Sequence, residues 1–66
     1  MNDFVPTSER QEQILERLKQ QGRLSVAEIV ELFSISEASV RRDLEALASV
    51  GKLQRVHGGA LVLHQA

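Results

Sequence analysis

The predicted fold depends on one stretch, S-E-A-S-V-R-R-D-L-E-A-L-A-S-V at residues 36–50. At about 100° per residue of an α-helix, Val40, Leu44 and Leu47 share a narrow arc, which predicts a helix with one buried face. The opposite side collects Ala38, Ser39, Arg42, Glu45, Ala46 and Ser49. Its first half is short-chained apart from Arg42, so a partner surface can approach the backbone closely. A merely solvated helix more often carries long charged side chains along that whole face.

A shorter helix is predicted before this one, with the strongest helix-start signal in the chain. Ser25 and Glu28 form a capping box, and Leu24 and Ile29 flank it as a hydrophobic staple. Apolar residues then recur at helical spacing as far as Phe33, where the helix is predicted to end. A helix of this length is marginal alone and needs tertiary packing.

Three residues, Ser34-Ile35-Ser36, separate the two helices. Ser36 is the predicted N-cap of the second of them, and Ile35 is placed to pack on Val40. A turn this short makes the helices cross sharply, which predicts a helix-turn-helix at about residues 24–43. The motif often carries glycine at the first turn position, where this chain has Ser34.

Another helix is predicted near the N-terminus, at about residues 9–21. Ser8 and Gln11 fit a capping box at its start, and Gly22 fits a left-handed cap at its end. Residues 1–6 show no periodic pattern and are predicted to form a flexible arm.

The C-terminal part, about residues 52–63, holds two β-prone runs, K-L-Q-R-V and A-L-V-L. The stretch His57-Gly58-Gly59 joins them, and its glycines supply the positive φ that hairpin turns need. The alternation of apolar and polar residues in the first run is imperfect, because a regular strand would place Leu53 and Val56 on opposite faces. The predicted fold is therefore mostly α: a three-helix winged helix-turn-helix with a small C-terminal β-hairpin wing.

Composition limits the class of protein. A chain of 66 residues forms one small domain, near the size at which a single core is only marginally stabilising. The absence of cysteine excludes a disulfide and a thiolate metal site. The longest apolar run covers only residues 60–63, so no membrane span is predicted. The N-terminus has no signal-peptide pattern, and a cytoplasmic location is expected.

Charge is distributed unevenly along the chain. The net charge of −1 and pI near 6.1 count against binding to nucleic acid, because such domains often have a pI above about 9. Residues 41–66, however, hold four basic and two acidic side chains, against four basic and seven acidic in residues 1–40. Positive charge is therefore modestly concentrated in the third helix and the wing.

The segment S-x-A-S-V-R-R-D-L-x-x-L-x-x-x-G-x-L-x-R-V-H-G-G-A resembles the N-terminal DNA-binding domain of DeoR-type bacterial transcription regulators. The resemblance covers about residues 7–62, and its motifs are R-R-D-L within residues 36–44 and R-V-H-G-G-A at 55–60. It implies sequence-specific binding of double-stranded DNA, with the third helix in the major groove. It also implies a regulator, often a repressor, of sugar or sugar-phosphate catabolism genes. Ser39 departs from the threonine of many members.

The resemblance further implies a larger C-terminal domain that senses a phosphorylated sugar. Nothing in the chain resembles that domain, so residues 63–66 are expected to begin a linker to it. One domain reads one half-site, and function as a homodimer or larger assembly on repeated sites is therefore expected. The chain by itself is predicted to be monomeric and to bind DNA weakly.

Charged residues of the third helix have different predicted roles. Arg42 faces outward and is predicted to bind guanine O6 and N7; the alternative is a solvated arginine paired with Glu45. Arg41 is predicted either to contact phosphate or to pair with Glu37 within the helix. Asp43 is predicted to be structural and to hold an arginine from the first helix or the wing.

The first turn of the third helix offers backbone donors that favour a phosphate. Ser36 is predicted to cap the helix and also to touch phosphate. Ala38 or Ser39 is a candidate contact for a thymine methyl group, and Glu37 for cytosine N4. Ser25 is similarly a cap first and a phosphate contact second.

The wing supplies the remaining candidates. Arg55 and His57 flank the glycine tip at Gly58, which is predicted to lie along the DNA backbone or in the minor groove. Without the resemblance, His57 would be interpreted as an ordinary surface histidine. Lys52 is a lesser candidate, because a lysine after a helix end also suits the helix dipole.

Other function classes fit less well. No nucleophile, base and orienting group occur together, so no enzyme is predicted. His57 and His64 have no further ligands at suitable spacing, so neither a metal site nor a cofactor is expected. The alternative is a winged helix that binds proteins rather than DNA, which the acidic pI supports. The absence of tryptophan and tyrosine argues against it.

Overall fold

The computed structural model describes residues 7–63. Its elements in chain order are α1 (Thr7–Gln21), β1 (Arg23–Ser25), α2 (Val26–Phe33), α3 (Glu37–Ser49), β2 (Leu53–Val56) and β3 (Gly59–Val62). The predicted three-helix winged helix-turn-helix is confirmed. The predicted flexible arm at residues 1–6, and residues 64–66 of the linker predicted at 63–66, lie outside the described residues.

The sheet has three strands instead of the two that were predicted. β1 was missed because a stretch of three residues is too short to show an alternating pattern. It pairs antiparallel with β3, which also pairs with β2, so the strand order is β1-β3-β2. The main-chain bond from Val62 N to Gly22 O, 2.9 Å long, extends this pairing beyond β1. The wing is therefore attached to the segment between α1 and α2.

The start of α1 also differs from the prediction. The helix begins at Thr7, so Ser8 lies inside its first turn and is not the N-cap. Gln11, the predicted second member of that capping box, instead donates to Asp43 Oδ1 at 3.4 Å. The predicted helix end is confirmed: Gly22 has φ +86°.

Caps define the helix-turn-helix as predicted. At the start of α2, Ser25 Oγ accepts from Glu28 N at 3.0 Å, and Glu28 Oε1 accepts from Ser25 N at 2.9 Å. Ser34 ends α2 in the left-handed region with φ +54°, the position where the motif often has glycine. Ser36 then caps α3, accepting from Ser39 N at 3.1 Å. Each of the two helices thus begins at a serine whose side chain caps it.

The core lies where the helices meet the inner face of the sheet. Its buried apolar residues are Ile14, Leu18, Leu24, Val26, Ile29, Val40, Leu44, Leu47, Leu53 and Ala60. The predicted buried stripe of α3 is confirmed. Among the described residues, Asp43 is the one buried charged side chain. No helix between residues 7 and 63 has the length and apolar character needed to cross a lipid bilayer.

The two glycines of the wing serve different purposes. Gly58 has φ +80°, which the turn requires and which was predicted for both. Gly59 belongs to β3 and its φ is not in the positive range. A Cβ atom there would lie 2.2 Å from the main-chain oxygen of Leu24, so glycine is needed for the close approach of β1.

Candidate nucleic-acid interface

A buried ion pair joins α3 to α1. The side chain of Asp43 is 5% exposed and that of Arg10 is 12% exposed, with Arg10 Nε 2.5 Å from Asp43 Oδ2. The Gln11 amide also donates to this carboxylate. Asp43 was predicted to hold an arginine from the first helix or the wing, and the structure identifies Arg10. Its negative charge is therefore balanced by the positive charge of Arg10.

A second ion pair lies along the exposed side of α3. Arg41 Nη2 is 3.9 Å from Glu37 Oε1, and both side chains are more than half exposed. This is the helix-internal pair predicted as one of two roles for Arg41. Exposed pairs of this kind contribute little to stability, so the pair can open when a phosphate is near.

Arg42 stands apart from the other charged side chains of α3. It is exposed, and within residues 7–63 it takes part in no ion pair. Its predicted alternative partner, Glu45, lies instead 3.6 Å from Arg55 Nε. In the part of the chain that the structure describes, Arg42 is therefore the one charged side chain of α3 without an oppositely charged partner.

The first turn of α3 presents hydroxyl groups and free backbone donors. Ser36 Oγ donates to Ser39 Oγ at 3.1 Å, in addition to capping the helix. The cap uses Ser39 N, and the N–H groups of Glu37 and Ala38 are among the donors of the first turn that can bind an external acceptor. An open cleft of about 400 Å³ adjoins this turn, lined by Arg10, Gln11, Ser39, Arg42, Asp43 and Ala46. Ser39 and Arg42 therefore share one surface.

Arg55 does not lie free at the wing surface. Its Nη1 donates to Gly59 O at 2.5 Å and to Val56 O at 3.2 Å. Its Nε is buried and makes no hydrogen bond among the described residues, although Glu45 Oε2 lies 3.6 Å away. The side chain is 25% exposed. The predicted DNA contact by Arg55 would thus have to compete with these internal partners.

The tip of the wing lies beside the start of α2. Gly58 O accepts from Val26 N at 2.8 Å, and His57 and Gly58 are both exposed. A cleft of about 420 Å³ is lined there by residues of the wing and of the α2 start, among them Ser25, His57 and Gly58. The structure therefore brings three predicted site residues together. Their contact with DNA stays a prediction.

Sequence reasoning missed two residues of this surface. Arg23 lines the same cleft as His57, is exposed and forms no ion pair in the described chain. It was overlooked because β1 was not predicted. Glu45 was considered only as a partner of Arg42, since helical spacing shows neighbours on one helix and not across the fold. The available signal for Arg23 was a positive residue two positions before the capping box that begins at Ser25.

Comparison with known proteins identifies the family. The model of the DeoR-like helix-turn-helix domain matches residues 10–66. The chain belongs to this family. The resemblance predicted from the R-R-D-L and R-V-H-G-G-A motifs is confirmed, and the chain is a DeoR-type helix-turn-helix DNA-binding domain.

Three relatives illustrate the proteins in which such domains occur. The chain is 46% identical over 54 residues to the lactose phosphotransferase system repressor of Lactococcus lactis. It is 47% identical over 53 residues to the glycerol-3-phosphate regulon repressor of Escherichia coli. It is 48% identical over 52 residues to the L-fucose operon activator of Haemophilus influenzae.

These matches cover most of this chain but little of each relative. They span 82%, 80% and 79% of the chain, and 21% of each of the three relatives. The chain thus corresponds to about a fifth of the length of these relatives, whose names describe regulators and not enzymes. No solved structure gives a significant match to the chain.

Proposed function

We propose that this domain recognises operator DNA by sequence, with α3 in the major groove, for a bacterial repressor of sugar or sugar-phosphate catabolism genes. One observation carries the proposal. Within residues 7–63, each charged side chain of α3 except Arg42 has an oppositely charged partner. Arg42 therefore projects an unmatched cation from a face that is otherwise short-chained around it.

Base reading is assigned to the first half of α3. The Arg42 guanidinium suits guanine, whose O6 and N7 accept two parallel hydrogen bonds. Ala38 and Ser39 are short enough to let a thymine methyl group approach, and Glu37 is able to accept from cytosine N4. The Ser36 cap, with the free N–H groups behind it, suits a phosphate at the edge of the groove.

Backbone contacts are assigned to the surfaces on either side. Arg41 reaches a phosphate by leaving its exposed pair with Glu37. Ser25, His57 and Gly58 meet at one cleft, and they are proposed to contact the neighbouring backbone or the minor groove. Arg55, which was predicted with this group, instead donates to the main-chain oxygens of Val56 and Gly59 within the wing.

The regulatory context is proposed from the relatives. Their names refer to a lactose phosphotransferase system, a glycerol-3-phosphate regulon and an L-fucose operon, two as repressors and one as an activator. A longer regulator that carries this domain would act as a homo-oligomer on repeated half-sites. A phosphorylated sugar bound by a C-terminal domain would control it. Because it acts on chromosomal DNA, such a regulator works in the cytoplasm, associated with the nucleoid when bound.

A fluorescence-anisotropy titration against duplexes selected from a random pool tests DNA recognition. The expected result is a selected sequence that binds more tightly than the random pool, with an affinity that falls as salt rises because counterions are released. If no duplex binds even at low salt, the winged helix would instead be a protein-binding module. Analytical ultracentrifugation adds a check on assembly, since a stable dimer at micromolar concentration would contradict the predicted monomer.

The sign of regulation needs a separate experiment. The selected sequence is placed across a promoter, and transcription in vitro is measured as the chain is added. Repression predicts a decrease in transcript, whereas an increase would indicate activation and overturn this part of the proposal.

A further inference from the structure

We infer that Arg55 is a positioning residue, which holds the wing turn against α3, and not itself a DNA contact. The inference rests on the proposed DNA-binding function only in one respect: the wing tip that Arg55 holds is the part that meets DNA. The attachment itself belongs to the protein alone, and it can be tested without a duplex.

The strand register places Arg55 on the inner face of the sheet. Arg55 of β2 pairs with Ala60 of β3, which also pairs with Leu24 of β1. Residues opposite one another in a sheet project to the same face. Leu24 and Ala60 are buried in the core, so Arg55 points toward the helices and away from the outer surface of the wing.

The guanidinium spans the two ends of the wing turn. Its Nη1 donates to Val56 O before the turn and to Gly59 O after it. One cation thereby ties both strand ends at the turn. If the guanidinium moved out to a phosphate, the hydrogen bonds from Nη1 to both carbonyl oxygens would break. Loss of a donor is unfavourable for partly buried acceptors.

Glu45 extends this attachment to the recognition helix. Its carboxylate lies 3.6 Å from the buried Arg55 Nε, which has no hydrogen-bond partner among the described residues. Opposite charges at this distance attract, although the Glu45 side chain is 71% exposed and solvent weakens the attraction. The pair also keeps the negative charge of Glu45 directed at the wing, on a helix that is proposed to lie against phosphates.

A second attachment fixes the tip on its other side. The amide of Val26, at the start of α2, donates to Gly58 O at 2.8 Å. The turn is therefore held by α2 through Gly58 and by α3 through Arg55. His57 is exposed on this support, so its position relative to the recognition helix depends on Arg55.

A double-mutant cycle on the selected duplex distinguishes positioning from contact. The variants are R55Q, H57A and the two combined. If Arg55 positions His57, the double variant binds no more weakly than R55Q. Its loss of affinity is then smaller than the product of the two single losses by more than about twofold. If Arg55 contacts DNA independently, the two factors multiply, and the inference is overturned.

The conservative variant R55K adds a second criterion. Lysine keeps the positive charge but cannot reproduce a guanidinium that donates to two carbonyls and faces a carboxylate at the same time. We therefore expect R55K to weaken binding about as much as R55Q does. Rescue of affinity by R55K would show that only the charge matters, as in a phosphate contact. Urea unfolding of each variant identifies any loss of binding that results from global unfolding.

Amide hydrogen exchange without DNA tests the attachment directly. In R55Q and R55K, exchange at the Val26 amide, which donates to Gly58 O, is expected to rise several-fold, while α1 amides keep their protection. R17Q, which removes an exposed arginine from α1, is the control and should leave the Val26 amide unchanged. Unchanged exchange in R55Q would refute the inference whether or not DNA binds. Faster exchange in a chain that binds no duplex would refute only the DNA-binding function.

Discussion

Arg10 and Asp43 lie 33 positions apart in the sequence, yet Nε of the first is 2.5 Å from Oδ2 of the second. This contact buries Asp43 beneath α1. Neighbouring helix residues are about 100° apart, so Arg42 lies about 200° from Leu44, and burial of Asp43 and Leu44 on one side directs Arg42 outward. The ion pair therefore couples the rotation of the recognition helix to the packing of the fold.

Loss of the Arg10–Asp43 pair should destabilise the domain. Removing one partner of a buried pair leaves an uncompensated charge, so D43A is expected to lower the free energy of unfolding by about 3 kcal/mol. D43N keeps an acceptor for Arg10 and should be affected less, which makes it the useful variant if D43A does not fold. Urea titration measures both. E37Q, which breaks an exposed pair, is the control and should change stability by less than about 1 kcal/mol. Equal effects of D43A and E37Q would contradict this account.

Replacing Ser34 by glycine should stabilise the domain. Ser34 has φ +54°, a conformation that is unfavourable for residues with a Cβ atom. After allowance for the greater freedom of glycine in the unfolded chain, S34G is expected to raise the free energy of unfolding by about 0.5–1 kcal/mol. S49G, at the end of α3, is the comparison and should lower it. A lower melting temperature for S34G would show that the turn holds no such strain.

The two wing glycines should differ in their tolerance of alanine. A Cβ at Gly58 meets no atom within 4 Å, so G58A suffers only the strain of φ +80°. A Cβ at Gly59 would lie 2.2 Å from Leu24 O and 2.9 Å from Ser25 Cα, so β1 and β3 would have to separate. G59A is expected to lower the melting temperature more than G58A. The reverse order would mean that β1 does not pack on β3 as described.

Two substitutions of Ser36 separate its capping role from its predicted phosphate contact. S36A removes the cap and should cost about 1 kcal/mol of stability as well as affinity. S36D keeps a capping acceptor and adds a negative charge at the positive end of α3, so stability should be retained. Its charge repels phosphate, and affinity for DNA should fall even so. Unchanged affinity of S36D would place Ser36 away from the DNA backbone.

Local sequence signals were sufficient to predict most of the fold. The caps at Ser25 and Ser36 depend only on residues three positions away, and the stripe from Val40 to Leu47 follows from helical spacing alone. The start of α1 was misplaced because Ser8 and Gln11 also fit a capping pattern. β1 was missed because its pairing partner lies more than thirty residues further on, at β3.

The site could be predicted only in part. The outward position of Arg42 follows from periodicity, but the partners of the other charged residues depend on the tertiary structure. The predicted partner of Asp43 was an arginine from either the first helix or the wing. The packing of α1 on α3 determines that this partner is Arg10. The sequence predicted Arg55 to be an exposed cation of the wing. Its position on the inner face follows from the register with Ala60, which the sequence alone does not give. That register also explains the imperfect alternation: Leu53 and Arg55 share the inner face, and Val56 does not.

Base reading by Arg42 is tested by comparing R42A with R41A for binding to selected and random duplexes across salt. Loss of a bidentate guanine contact should reduce the preference of R42A for the selected sequence by about 5- to 150-fold. R41A should keep that preference and lower the dependence of log affinity on log salt by about 1, as expected for a lost phosphate contact. If R42A retains the full preference for the selected sequence, Arg42 does not read bases, and the proposed role of α3 is wrong.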